Sequence, residues 1–152
     1  MGKHVVVRYH DISAGHRVVG HENKCRHLHG HNYRIHFHCE AERLDSLGRV
    51  VDFGVIKQKL CQWLEDNFDH KFLAYEHDDV INTLCDAAET STTDDMKLFT
   101  ESVVKVPFNP TAENIAQYLV EVIAPNQLAG TGITVTKCVV EETAKCSATY
   151  EV

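Results

Sequence analysis

The chain contains 152 residues, of which 43% are apolar and 24% are charged, proportions that are ordinary for a soluble globular protein. This length predicts one domain spanning residues 1–152 with a sizeable buried core. The 22 acidic side chains outnumber the 15 basic ones and give a formal net charge of −7. That balance argues against a nucleic-acid partner, because binding to a phosphate backbone requires a basic surface.

Strands are predicted over residues 5–11 and 31–40, and the second alternates clearly between apolar and polar side chains. Its apolar face is formed by Tyr33, Ile35, Phe37 and Cys39. A helix then follows from the N-cap Asp52 to about Asn67, with its apolar residues on one stripe. The first half of the chain therefore predicts two strands followed by a long amphipathic helix.

An acidic segment rich in Ser and Thr, residues 76–95, separates this helix from the next one. We expect one short helix near residues 80–84 and a mobile loop over 90–95. A second long helix is predicted to begin near Thr111 and to end at Pro125, because proline disrupts a helix interior.

Two more strands are predicted at the C-terminal end, over residues 133–142 and 148–152. The element order is ββ-α-(loop)-β-α-ββ, which is typical of an α+β protein. It predicts an antiparallel sheet with both long helices packed on one face.

The chain contains two His-x-His pairs that differ in their position on the predicted strand. His29 and His31 share the parity of the apolar face, where a metal ion can be desolvated. His36 and His38 fall on the polar face and are expected to contact water. Parity therefore favours the first pair as metal ligands.

With His16 on the preceding segment, His29 and His31 supply three imidazoles, which with an open fourth position predict a catalytic zinc site. Cys25 lies beside them and is interpreted as a base or nucleophile favoured by zinc and nearby cations. Two alternatives remain open: Cys25 is a fourth ligand that closes a structural site, or the histidines bind metal adventitiously.

Other candidates are weaker when taken singly. Asp69 and His70 form a pair in which the carboxylate can orient the imidazole for proton transfer. Glu142 ends a predicted strand and could hold a guanidine-like edge through two parallel hydrogen bonds. Lys24 and Arg17 are candidate contacts for an anionic small molecule on charge and proximity alone.

Taken together, these stretches resemble the 6-pyruvoyltetrahydropterin synthase / 6-carboxytetrahydropterin synthase family. The matching stretches are residues 13–17, 25–33, 51–53, 69–70, 109–114 and 142–143. The resemblance implies that zinc is bound by His16, His29 and His31, and that protons are moved by Cys25, Asp69, His70 and Glu142. Glu142, followed by Thr143, would also anchor the pterin ring.

The family resemblance also implies the tunnelling fold. In that fold, four-stranded antiparallel sheets from three subunits close a barrel and two trimers stack into a homohexamer. Active sites then lie at subunit interfaces, so Glu142 and the Asp69–His70 pair could serve a site shared between chains.

The short interval between Cys25 and His29 is similar to that of the carboxy-forming branch. The implied reaction converts 7,8-dihydroneopterin triphosphate and water to 6-carboxy-5,6,7,8-tetrahydropterin, acetaldehyde and triphosphate, for 7-deazaguanine (queuosine-type) synthesis. The alternatives are a 6-pyruvoyltetrahydropterin synthase and a non-catalytic zinc-binding assembly protein. Two positions depart from the family pattern, Ile12 in place of an aromatic residue and Gly15 in place of alanine, and the acidic segment is longer than in compact members.

No apolar run approaches the length of a membrane span, and the N-terminal residues lack the pattern of a signal peptide. We therefore expect a cytoplasmic protein without a membrane partner. The dispersed cysteines show no paired spacing and are expected to be free thiols. They are Cys25, Cys39, Cys61, Cys85, Cys138 and Cys146.

Overall fold

One mixed sheet organises the chain in the computed structural model, which describes residues 2–152. The strands in this range are β1 (Val6–His16), β2 (His29–Ala41), β3 (Lys71–Tyr75), β4 (Val103–Val106), β5 (Ile133–Thr143) and β6 (Cys146–Glu151). Their order in the sheet is β4-β3-β1-β2-β5-β6. The pairs β1–β2, β2–β5 and β5–β6 are antiparallel, whereas β3 is parallel to both β1 and β4.

The expectation of a four-stranded antiparallel sheet is wrong, because the described sheet has six strands. The four strands predicted with bounds correspond to β1, β2, β5 and β6, and β4 lies where the predicted order has a further strand before the second long helix. Both β3 and β4 extend the sheet beyond β1. These two strands have only five and four residues, too few for alternation to be recognised. Leu73 and Ala74 are neighbours in β3 and both buried, so this strand lacks the alternation of a half-exposed one.

Four helices lie within the described residues. They are α1 (segments Phe53–Ile56, Lys57–Cys61 and Gln62–Asn67), α2 (Asp79–Glu89), α3 (Asp94–Ser102) and α4 (segments Ala112–Tyr118, Leu119–Ile123 and Ala124–Gln127). The middle segments of α1 and α4 have the wider turn in which hydrogen bonds span five residues.

The predicted starts of both long helices are confirmed. The Asp52 carboxylate accepts a hydrogen bond from the Gly54 N–H, and the Thr111 hydroxyl accepts one from the Asn114 N–H. The predicted end at Pro125 is wrong, since α4 continues to Gln127. The wide turn just before Pro125 places it in the first turn of the last segment, where a missing N–H costs little.

The acidic segment is more helical than expected. The short helix near residues 80–84 is part of α2, and the predicted mobile loop 90–95 is interrupted by α3, which begins at Asp94. The Thr93 hydroxyl accepts a hydrogen bond from the Met96 N–H and caps α3. The Ser and Thr residues that suggested a loop therefore include helix-capping chemistry.

Both long helices pack on the same face of the sheet, as predicted. The main core joins side chains of β2, α1 and α4, among them Tyr33, Ile35, Phe37, Ile56, Leu60, Ile115 and Leu119. A second cluster of Ala74, Ile81 and Cys85, with Phe72 and Phe99 against it, joins β3 to α2 and α3. Since Leu73 belongs to the main core and its neighbour Ala74 to the second cluster, the acidic segment packs on the opposite face.

Within residues 2–152 the structure contains no helix with the length and apolar character needed to cross a bilayer.

Candidate metal centre and active site

Strand register places three imidazoles side by side at one end of the β1–β2 pair. His16 is directly opposite His29, and Ala14 is opposite His31. Because side chains alternate along a strand, all three rings lie on the face that carries Tyr33. The ring centroids of His16 and His29 are 4.6 Å apart, those of His29 and His31 4.8 Å, and those of His16 and His31 5.1 Å.

Backbone carbonyls orient two of these rings for metal binding. Nδ1 of His16 lies 2.7 Å from the carbonyl oxygen of Pro110, and Nδ1 of His29 lies 2.7 Å from that of His27. A carbonyl oxygen can only accept a hydrogen bond, so each Nδ1 must carry the proton. In the neutral ring, Nε2 is then the nitrogen whose lone pair can bind a metal ion.

Glu142 on β5 adds a carboxylate to the three histidines. Its Oε1 lies 2.7 Å from Nε2 of His31 and 3.4 Å from Nε2 of His16. Contact with His16, together with the charges of His31 and His29, holds the pKa of the Glu142 carboxyl below its usual range. Glu142 is therefore an ionised neighbour of the histidine cluster.

These four side chains form the metal-type cluster of the described residues, with one donor atom from each lying within 4.8 Å of the others. The nitrogens Nε2 of His16 and His31 are buried and make no hydrogen bond of acceptable geometry, even though Glu142 approaches them. Two orphaned buried nitrogens are costly unless something binds them. Three imidazoles and a carboxylate match the nitrogen and oxygen ligands of zinc, so the cluster could hold a metal ion.

Cys25 lies on a short helical turn, Lys24–Arg26, is half-buried, and is close enough to Tyr33 to affect the pKa of its hydroxyl. Its sulfur is not among the clustered donor atoms, where the fourth donor is Glu142. The Tyr33 hydroxyl, 3.2 Å from Nδ1 of His16, has its pKa raised mainly by burial and further by Glu142 and Cys25. This geometry favours Cys25 as a neighbour of the cluster over Cys25 as a ligand.

Asp69 and His70 lie directly before β3, beside Ser13. Asp69 Oδ1 accepts a 2.9 Å hydrogen bond from the Ser13 N–H, and the His70 N–H donates to the Ser13 carbonyl at 2.7 Å. His70 has a φ of 60°, a left-handed conformation that is rare outside glycine and often found at functional sites. Its side chain is 82% exposed, with Nε2 at 3.6 Å from Asp69 Oδ2.

The Asp69–His70 pair lines a cavity of about 710 Å³ together with Asn32 and Arg34. These two residues of β2 alternate with His31 and Tyr33, so their side chains lie on the other face of the sheet. Within one chain, the structure thus brings His16, His29, His31 and Glu142 together and leaves the Asp69–His70 pair on the opposite face.

The remaining candidates have different surroundings. The Thr143 hydroxyl accepts hydrogen bonds from the N–H groups of Lys145 and Cys146 in the β5–β6 turn. Lys24 is exposed. The Arg17 side chain binds a protein partner, since its Nε donates a 2.7 Å hydrogen bond to the buried Asp78. No local sequence pattern indicates this partner.

Fold and site together define an α+β protein with a three-histidine metal-type centre at the end of two antiparallel strands. The family model of 6-pyruvoyl tetrahydropterin synthase matches residues 5–152, and the chain belongs to that family. It is 38% identical over 136 residues to the 6-carboxy-5,6,7,8-tetrahydropterin synthase of Rickettsia bellii, covering 90% of this chain and 91% of the relative.

Two solved structures are similar in fold to this chain. An uncharacterized protein from Wolinella succinogenes has a TM-score of 0.87 at 25% identity, with 99% of each chain covered. The 6-pyruvoyl tetrahydropterin synthase of Caenorhabditis elegans has a TM-score of 0.66 at 21% identity, covering 100% of this chain and 97% of that one. The chain fold is therefore that of the tunnelling-fold family.

Proposed function

We propose that the protein is a zinc-dependent 6-carboxytetrahydropterin synthase. It would convert 7,8-dihydroneopterin triphosphate and water to 6-carboxy-5,6,7,8-tetrahydropterin, acetaldehyde and triphosphate, in the synthesis of 7-deazaguanine compounds. The observation that carries this proposal is the cluster of three imidazoles, in which backbone carbonyls accept the Nδ1 protons of His16 and His29 and leave their Nε2 atoms available to a metal ion. The short Cys25–His29 interval and the name of the Rickettsia relative support the carboxy-forming branch.

Zinc held by His16, His29 and His31 would supply a Lewis acid for substrate oxygens. Cys25 would accept a proton at Sγ from the substrate side chain, close to the ligand cluster. The ionised Glu142, with 24% of its side chain exposed, would grip the guanidine-like edge of the pterin through two parallel hydrogen bonds. This role requires Glu142 to turn from the histidines to the substrate, which leaves the fourth position open as catalysis requires.

We also propose that the active site is shared between chains of a homohexamer. His70 is exposed on the face opposite the histidine cluster, so a second chain must bring its Asp69–His70 pair to complete the proton relay. Mixing an inactive Cys25→Ala protein with an inactive His70→Ala protein should then restore turnover after subunit exchange. Mass spectrometry of the mixed assembly shows whether subunits have exchanged. Mixtures that have exchanged subunits and still stay inactive would contradict a shared site.

A cytoplasmic location is proposed from the thiols. All six cysteines of the chain fall within the described residues and are unpaired, which suits a reducing compartment.

The direct test is incubation of the zinc-loaded protein with 7,8-dihydroneopterin triphosphate, with mass spectrometry of the products. Carboxytetrahydropterin together with acetaldehyde is the expected result. A pyruvoyl product would keep the site and contradict the branch, and the absence of turnover by a folded, metallated oligomer would contradict the proposal itself.

A further inference from the structure

Asp78, at the start of the acidic segment, is a carboxylate whose side chain is 0% exposed. Its Oδ1 caps helix α2 by accepting hydrogen bonds from the N–H groups of Val80 at 3.0 Å and Ile81 at 3.4 Å. Its Oδ2 accepts a 2.7 Å hydrogen bond from Nε of Arg17. A carboxylate buried this completely is retained only with partners, and Arg17 supplies the neutralising charge.

Arg17 connects Asp78 to the loop that carries Cys25. While Nε binds Asp78, Nη1 donates a 2.8 Å hydrogen bond to the carbonyl of Arg26. The neighbouring Val18 N–H donates to the carbonyl of Cys25 at 2.7 Å. Both the carbonyl of Cys25 and the one that follows it are therefore held by the residues directly after His16.

The contacts form a chain from helix α2 to the thiol. Arg17 uses two different edges of its rigid guanidinium fork, one toward a carboxylate and one toward a carbonyl. A lysine ammonium keeps the charge but cannot reproduce both directions at once. The guanidinium is also committed to protein partners on both edges, which removes it from the set of free cations around the site.

We propose that Asp78 is a positioning residue that fixes Cys25 through Arg17, an inference that rests on the proposed lyase function. The acidic segment is then part of the active-site architecture, because α2 and the Cys25 loop share one anchor. Arg17 is assigned to the Cys25 loop and not to the substrate triphosphate.

Two substitutions test the chain of contacts from Asp78 to Cys25, with a matched control. Asp78→Asn keeps an oxygen that can cap α2 and removes the charge that holds Arg17. Arg17→Lys keeps the charge and removes the fork, so it probes the same contact if Asp78→Asn does not fold. Asp79→Asn removes an equal charge from the next residue, which is exposed, and serves as the control.

The first readout is the rate of Cys25 alkylation by iodoacetamide in the metal-loaded protein, measured by peptide mass spectrometry. The exposed Cys146 serves as the internal reference. We expect the ratio of Cys25 to Cys146 alkylation to rise at least threefold in Asp78→Asn and Arg17→Lys, and to stay unchanged in Asp79→Asn. This readout needs no turnover, so it tests the positioning role even if the proposed reaction is wrong.

The second readout is the split between kcat and KM. A positioning role predicts a kcat at least tenfold lower, with KM within twofold and zinc content unchanged. An unchanged alkylation ratio in a folded Asp78→Asn protein would overturn the inference. So would a raised KM with normal kcat in Arg17→Lys, since that result marks a direct substrate contact. Wild-type protein that fails to turn over the substrate while the alkylation shift persists would refute the proposed function alone.

Discussion

Replacing His29 by alanine should remove the metal ion without unfolding the protein. A complete protein site stabilises zinc by about 10–16 kcal/mol, so each of four ligands contributes about 3–4 kcal/mol. Losing one should weaken zinc binding about 10²–10³-fold, since about 1.4 kcal/mol corresponds to a tenfold change. The folded chain loses little else, because His29 is half-exposed and its ring hydrogen bond to His27 is worth about 0.5–1.5 kcal/mol.

The assay is zinc content by mass spectrometry, followed by competition with a chromophoric chelator and thermal unfolding with and without metal. At a free zinc concentration of about 100 times Kd the wild type should gain about 2.7 kcal/mol, a gain that His29→Ala should lack. His38→Ala is the matched control, because it removes a histidine of the same His-x-His spacing from the other sheet face. A fully metallated His29→Ala protein, or equal zinc loss in both variants, would refute the reasoning.

Three further predictions concern the thiols and pH. Cys25→Ala should keep zinc and assembly size and lower kcat about 10²–10⁴-fold, as loss of a general base does; zinc loss, seen in the metal content, would make Cys25 a ligand. Burial lowers the pKa of His31 below its ordinary value, so protons compete with zinc for its ring nitrogen at a lower pH than they would for an exposed histidine. Zinc should therefore stay bound under mildly acidic conditions and be released on stronger acidification, as measured by dialysis over a pH series and metal analysis; release that follows the titration of an exposed histidine would contradict this. Cys138, whose pKa is raised to about 12 by burial, lies in the main core. Cys138→Ser should cost about 1–3 kcal/mol in urea unfolding, because its hydroxyl gains no partner, and an unchanged midpoint would argue against this burial.

The metal-type cluster was partly predictable because strand parity is a local property. Alternation along β2 was enough to put His29 and His31 on the buried face and His36 and His38 on the other. The sheet face of His16 could not be predicted from parity, because the first strand was predicted to end five residues before it, at residue 11. Ser13, Ala14 and Gly15 are weak strand formers, and pairing with β2 and β3 on both sides overrides their propensity.

The features that the sequence pattern did not predict depend on contacts between residues far apart in the chain. Arg17 and Asp78 are 61 positions apart, so neither residue indicates its partner, and the charge of Arg17 suggested a substrate contact instead. The Asp69–His70 pair was recognised as a motif, but its place on the opposite sheet face depends on the unpredicted strand β3 and its parallel pairing with β1.

Gly15, which stands where the family pattern has alanine, lies in close contact with a neighbouring strand. It is paired with Phe72 of β3, and a Cβ added at Gly15 would lie 2.8 Å from Cδ2 of that ring. Phe72 packs against the second cluster, which includes Ile81 and Cys85 of the acidic segment, so moving the ring away would disturb that packing. Gly15→Ala should therefore destabilise the protein by about 1–3 kcal/mol through overpacking.

The cost of Gly15→Ala should shrink when Phe72→Leu removes the ring, and a double-mutant cycle of urea unfolding measures the difference. We expect a coupling of at least about 0.5 kcal/mol between the two positions. Additive effects would mean that Phe72 does not require the glycine. Coupling would instead tie the residue preceding His16 to the packing of the acidic segment, one position along the strand from the metal-type cluster.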